Sequence, residues 1–79
     1  MDVDIFIKKF EEEFNDLPKG SITPGTRISD MKDWWDSLNV MLTIVFVLEY
    51  FGVDIEKNDI FEAKTINDLF ITIQKKGRA

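Results

Sequence analysis

The sequence contains no cysteine and no histidine. The first absence removes disulfides and thiolate nucleophiles, and the second removes imidazole acid–base chemistry. Together they remove zinc sites of the Cys/His kind. Proline and glycine are sparse, at two and four in 79 residues. Positive charge is in deficit: ten Lys and Arg against fifteen Asp and Glu leave a net charge of −5. Affinity for nucleic acid comes mostly from cations that neutralise phosphates, so no nucleic-acid partner is expected. Long apolar runs are lacking as well. The longest, 40–48, is about half of what a membrane-spanning helix needs, so no membrane span is expected. The acidic start Met1-Asp2-Val3-Asp4 offers no basic stretch of the kind that opens a signal peptide. What is present is 44% apolar residues, 13% of all residues being aromatic, enough to fill one small core. These features predict a single acidic, soluble, cytoplasmic domain over 1–79.

Hydrophobic spacing gives the elements. Phe6, Phe10, Phe14 and Leu17 lie four, four and three apart, one face of an amphipathic helix over 3–17 that Pro18 and Gly20 end. The stretch 18–35 holds both prolines and two of the four glycines, Gly20 and Gly25, and reads as a long loop pinned by Ile22, Ile28 and Met31. A loop of that length is functional or carries a short helix of its own. The segment 36–51 is rich in β-branched and aromatic residues, which suits a strand, but it is longer than strands usually run, about 3–10 residues. Asp36 or Ser37 suits the start of a helix there and Gly52 the position just past its end. Asn58 and Asp59 are placed to cap a short helical turn with Ile60, Phe61 and Ala63. Thr65 and Asp68 form a capping box before Ile66, Leu69, Phe70 and Ile73, spaced i, i+3, i+4, i+7. Lys75, Lys76 and Arg78 fall at the negative end of this last helix. The expected fold is all-α: a four-helix bundle of three main helices and one short one, with a long loop after the first.

Few residues are arranged for chemistry. Asp54-x-Glu56-x-Asn58 begins like a calcium loop, but Asp59 stands where glycine is required and Thr65 where a bidentate glutamate belongs. No metal site is expected, and there is no glycine-rich phosphate loop. Glu11-Glu12-Glu13 reads as solvated charge. Ser37 is different, because it stands where a polar loop meets a long apolar helix. A hydroxyl there points outward, beside the free N–H groups of a first helical turn, which accommodate phosphate. Asp30, Asp33 and Asp36 precede it closely, and Lys32 is the only nearby cation expected. That field opposes non-covalent phosphate binding, so no nucleotide site is expected. A covalently attached phosphodiester needs no affinity to stay. A Ser37 hydrolase is disfavoured because no histidine can serve as its base.

From Asp36 onward the chain resembles the acyl carrier protein family. Asp36-Ser37-Leu38, a hydrophobic helix ending Glu49-Tyr50-Phe51, then Gly52-Val53-Asp54-Ile55, a short helix, and Thr65-Ile66 opening the last helix follow the family's order without a gap. The first 35 residues agree only in layout. The resemblance implies a non-enzymatic carrier whose Ser37 bears 4′-phosphopantetheine, installed from coenzyme A by a phosphopantetheinyl transferase. The arm's thiol would hold acyl groups as thioesters for acyl-transferring or synthase enzymes in fatty-acid, polyketide or related specialised biosynthesis. The chain is expected to act as a monomer. A D-alanyl carrier is similar in size and acidity.

The sequence departs from the family pattern in two places. Trp34-Trp35 replaces a glycine usual before the motif, either as core or as part of a partner surface. On the helix after Ser37, Val40, Ile44, Val47 and Phe51 form the expected core face. Leu38, Leu42, Val45 and Glu49 lie opposite, with Met41 at the edge. The family's outer face is strongly acidic, whereas here only Glu49 is. An apolar face predicts partner contact through Asp36, Leu38, Met41, Leu42, Val45 and Glu49, unless the long loop and first helix cover it. The rival reading is an unmodified helical interaction module that uses Leu38, Leu42 and Val45.

Overall fold

The structure, a computed structural model, describes residues 2–77. Four helices occur in order among these residues: α1 (Val3–Glu13), α2 (Ser37–Phe51), α3 (Lys57–Glu62) and α4 (Ile66–Gly77). A single 3-10 turn, Ile28–Met31, interrupts the long connection between α1 and α2. No strand is present among the described residues, so the chain is a small helical bundle. Among the described residues, no helix is long and apolar enough to cross a membrane. Arg78 lies outside the described residues, while Lys75 and Lys76 occupy the last turn of α4 as expected.

The first helix is shorter than its spacing predicts. The Asp2 carboxylate accepts from the Ile5 N–H at 3.0 Å and opens it. Phe14 leaves helical geometry at φ −112° and ψ 97°. The chain turns there and still buries Phe14 and Leu17, so the apolar spacing continued past the hydrogen-bonded helix. Phe6 is the hub of the core. Its ring lies 5.6 Å from Phe51, 5.6 Å from Phe70 and 6.3 Å from Phe46, centroid to centroid. It thereby joins α1 to α2 and α4 through tilted aromatic contacts.

Glu11 corrects the reading of the acidic run. Its side chain is buried, and its two carboxylate oxygens accept from the Gly20 N–H at 2.9 Å and the Ile22 N–H at 3.0 Å. Glu12 and Glu13 are exposed as expected. The carboxylate clamps the start of the long loop to α1, and Ile22 is buried beside it. The other end of the loop is stitched to the α3–α4 turn. There Ile28 N–H donates to Lys64 O at 3.0 Å, Ile66 N–H to Thr26 O at 2.9 Å and Asn67 N–H to Pro24 O at 2.9 Å.

The remaining boundaries follow local chemistry. Gly52 closes α2 at φ 67° and ψ 24°, in the left-handed region, and its N–H donates to Leu48 O. A Cβ at Gly52 meets no atom within 4 Å, so the cost of alanine is purely conformational. Gly52→Ala is expected to destabilise by about 1 kcal/mol, a fall of roughly 5 °C in a thermal melt. In α3 the cap is Glu56, not Asn58 or Asp59: the Asp59 carboxylate reaches back to accept from the Glu56 N–H at 2.7 Å. Asp59 also pairs with Lys76 at 2.6 Å. Partial burial opposes its ionisation, but hydrogen bonds from Lys76 and the Glu56 N–H outweigh this and hold its carboxyl below the usual range. The α4 box forms as predicted, Thr65 Oγ1 accepting from Asp68 N–H at 3.1 Å and Asp68 Oδ2 from Thr65 N–H at 3.3 Å. Ile66, Leu69, Phe70 and Ile73 are all buried.

Candidate functional site

The joint between the long loop and α2 is built by three residues. The Asp36 carboxylate accepts from the Asn39 N–H at 2.8 Å and is the helix cap. The Asn39 side-chain amide donates to Trp34 O at 2.7 Å, which fixes the loop against the first turn. Ser37 is therefore the first helical residue and is released from capping. It is exposed, and its hydroxyl makes no hydrogen bond with any described residue. Asn39 gave no signal in the sequence, because its second partner depends on how the loop approaches.

Because Asp36 holds the cap, its removal tests the frame of the site. Asp36→Ala is expected to cost about 1 kcal/mol, whereas Asp36→Asn retains an acceptor and costs a few tenths. Thermal melts of the two variants check this.

Ser37 opens onto a cleft of about 190 Å³ lined by Trp35, Asp36, Val40, Lys57 and Phe61. Lys57 corrects the electrostatic expectation, since Lys32 is not the only cation near the serine. It begins α3, twenty positions away in sequence, and only the packing of α3 beside α2 brings it to the cleft. Phe61 is also half exposed here, whereas Phe46 and Phe70 are buried. The residues at this joint fit a covalently attached phosphodiester: an exposed serine free of hydrogen bonds, an open cleft beside it, and a lysine among the residues that line that cleft.

Trp35 belongs to the core and Trp34 packs against it. Trp35 is buried and Trp34 half-buried. The Trp34 ring packs edge-on to Phe14 at 4.9 Å and to Trp35 at 4.8 Å. Trp34 Nε1 donates to the Asp16 carboxylate at 3.0 Å. Trp35 Nε1, in contrast, is buried without a hydrogen-bond partner among the described residues.

The apolar outer face of α2 is open. Leu38 is 58% exposed, Met41 56%, Leu42 42%, Val45 42% and Leu48 50%. The loop and α1 do not cover it, although Glu13 and Phe14 border a shallow hollow of about 290 Å³ beside Leu42, Val45 and Glu49. The buried face is rotated from the expected one. Thr43 and Phe46 lie at its centre with Val40 and Val47, while Ile44 and Phe51 are only half-buried. Leu48 and Tyr50 join the exposed side without having been singled out. Asp36, Ser37, Leu38, Met41, Leu42, Val45 and Glu49 thus share one accessible side of the molecule. No group of acidic residues among those described is placed to hold a metal ion.

In comparisons with known proteins, no protein-family model, no curated protein and no solved structure matches this chain.

Proposed function

We propose that this protein is an acyl carrier, with Ser37 as the attachment point of a 4′-phosphopantetheine arm. The carrying observation is the state of Ser37: an exposed serine, freed from capping by Asp36, lining a cleft that Lys57 also lines. In the loading reaction Ser37 Oγ forms a bond to the β-phosphorus of coenzyme A. The bond from that phosphorus to the bridging oxygen breaks, adenosine 3′,5′-bisphosphate leaves, and the hydroxyl proton passes to a base of the phosphopantetheinyl transferase. The arm brings a thiol that holds acyl groups as thioesters. The chain itself contributes the anchor, the cleft and the docking side, and catalyses nothing. Tethering raises the effective concentration of the cargo at each docked enzyme.

On this reading the transferase and the acyl-transferring or synthase enzymes approach the side made by Leu38, Met41, Leu42 and Val45. Asp36 and Glu49 frame it with charge. Apolar contact dominates, which fits a specialised carrier of fatty-acid, polyketide or related biosynthesis, acting as a monomer in the cytoplasm. The test is incubation with coenzyme A and a promiscuous transferase, followed by intact mass and peptide mapping. A gain of one phosphopantetheinyl group on the peptide holding Ser37 supports the reading, and an unchanged mass overturns it. The exposure of Leu38, Leu42 and Val45 favours one rival: an unmodified interaction module that uses the same face. That rival expects no mass gain.

A further inference from the structure

The charge of the surface beside Ser37 is inverted relative to the rest of the chain. A second groove, of about 480 Å³, lies between the long loop and the end of α3. Its lining combines the buried Ile28 and Trp35 and the half-exposed Phe61 with three exposed cations, Arg27, Lys32 and Lys64. Trp35 and Phe61 line this groove and the Ser37 cleft alike, so the two spaces adjoin across the same rings. No carboxylate lines the groove, and only Asp36 lines the cleft. Four of the ten cations therefore face this surface in a protein whose acids outnumber its bases. None of the four is engaged in an ion pair among the described residues, where the pair found is Lys76–Asp59. Asp30, Asp33 and Glu62 neighbour the groove in sequence but do not line it.

We propose that this groove receives the cargo itself: an acyl group with an apolar body and a free carboxylate, carried on the arm at Ser37. The inference rests on the carrier reading. Apolar side chains lined up with unpaired, exposed cations match a chain that ends in an acid, and the volume is that of a small-molecule site. The walls are held in place, since the backbone bonds between Ile28 and Lys64 and between Ile66 and Thr26 cross between them. Exposed ion pairs are individually weak. A tethered ligand needs only weak contacts, because its effective concentration is already high. The same field repels a cargo bearing an ammonium, so a D-alanyl thioester is the wrong ligand for it. An acidic segment of a partner protein is the competing occupant. The groove's continuity with the cleft of Ser37 favours the tethered group.

The experiment loads the full chain with hydrolysis-proof amide analogues of butyryl- and succinyl-coenzyme A, which differ in a terminal methyl against a carboxylate. Intact mass is checked first, and then melting temperature and backbone amide shifts are compared. The succinyl form is expected to melt roughly 5 °C above the butyryl form at low salt, and the gap is expected to close in about 1 M salt. Its amide shifts should map to Arg27, Ile28 and Lys64. The double variant Arg27→Gln/Lys64→Gln should abolish the gap, with Lys32→Gln as a milder second variant if the double fails to fold. Mass gain with equal melting of the two forms, or shifts confined to the Leu42 and Phe46 region, overturns the groove and leaves the carrier intact. Groove amides that move only with an acidic peptide added in trans assign the site to a partner and also overturn it. Absence of mass gain overturns both.

Discussion

Ser37→Ala is expected to abolish phosphopantetheinyl loading while leaving the melting temperature within about 3 °C of the native chain. Both halves follow from the first turn of α2. The cap is the Asp36 carboxylate on the Asn39 N–H at 2.8 Å, so deleting the serine hydroxyl removes no hydrogen bond that holds the helix. The residue is exposed, so alanine leaves no cavity. Loading, in contrast, has no substitute oxygen at that place. The other serines are Ser21 and Ser29, both in the long loop. Intact mass after transferase treatment reads the first half and a thermal melt reads the second. Loading that persists in the variant and maps to Ser29 would move the anchor into the basic groove and displace Ser37 from its role. A large fall in melting temperature would instead mark Ser37 as structural.

Glu11→Ala is expected to be the most damaging single substitution of a charged residue, at about 3 kcal/mol or a fall of roughly 15 °C. Two backbone N–H groups lose a charged acceptor at once, and the Ile22 N–H lies in a buried setting. A buried donor left unpaired carries its full desolvation cost. Glu11→Gln keeps one acceptor oxygen and should lose about half as much. Glu12→Ala and Glu13→Ala, at exposed positions, should stay within about 0.5 kcal/mol. Thermal melts rank the four variants, and amide hydrogen exchange at Gly20 and Ile22 should accelerate in the alanine variant alone. If all three glutamates behave alike, the clamp has no energetic weight. Its functional consequence is indirect: a loosened loop start frees one end of the segment that carries Arg27 and Lys32.

How far the site was legible depends on the range of each interaction. The start of α2 at Ser37 could be read because its determinants lie within three residues: an acceptor at Asp36, a serine one position later, and an apolar helix beyond. The capping box of Thr65 and Asp68 was legible for the same reason. Glu11 was not, because its partners stand nine and eleven residues further on, in a loop whose path no periodicity encodes. The one hint was its position four residues after Ile7, at the edge of the buried stripe. The end of α1 was misplaced because Phe14 and Leu17 continue a helical spacing while being buried from a turn. The wheel for α2 found the correct side but the wrong centre. A threonine at a core position carries no hydrophobic signal, yet Thr43 is wholly buried.

By itself, the sequence determined the helical class, the extent of α2 to within a residue, the start of α4 and its buried face. Short-range forces suffice for these: hydrophobic period, capping, and the left-handed turn at Gly52. Only the tertiary structure decided that Asp36 rather than Ser37 caps α2. It alone showed that the apolar face of α2 stays open and that Glu11 is a buried clamp. It also gathered Arg27, Lys32, Lys57 and Lys64 around the serine's side of the molecule. Charges so far apart along the chain become neighbours only when the loop is bonded to the α3–α4 turn, and linear spacing carries no record of that closure.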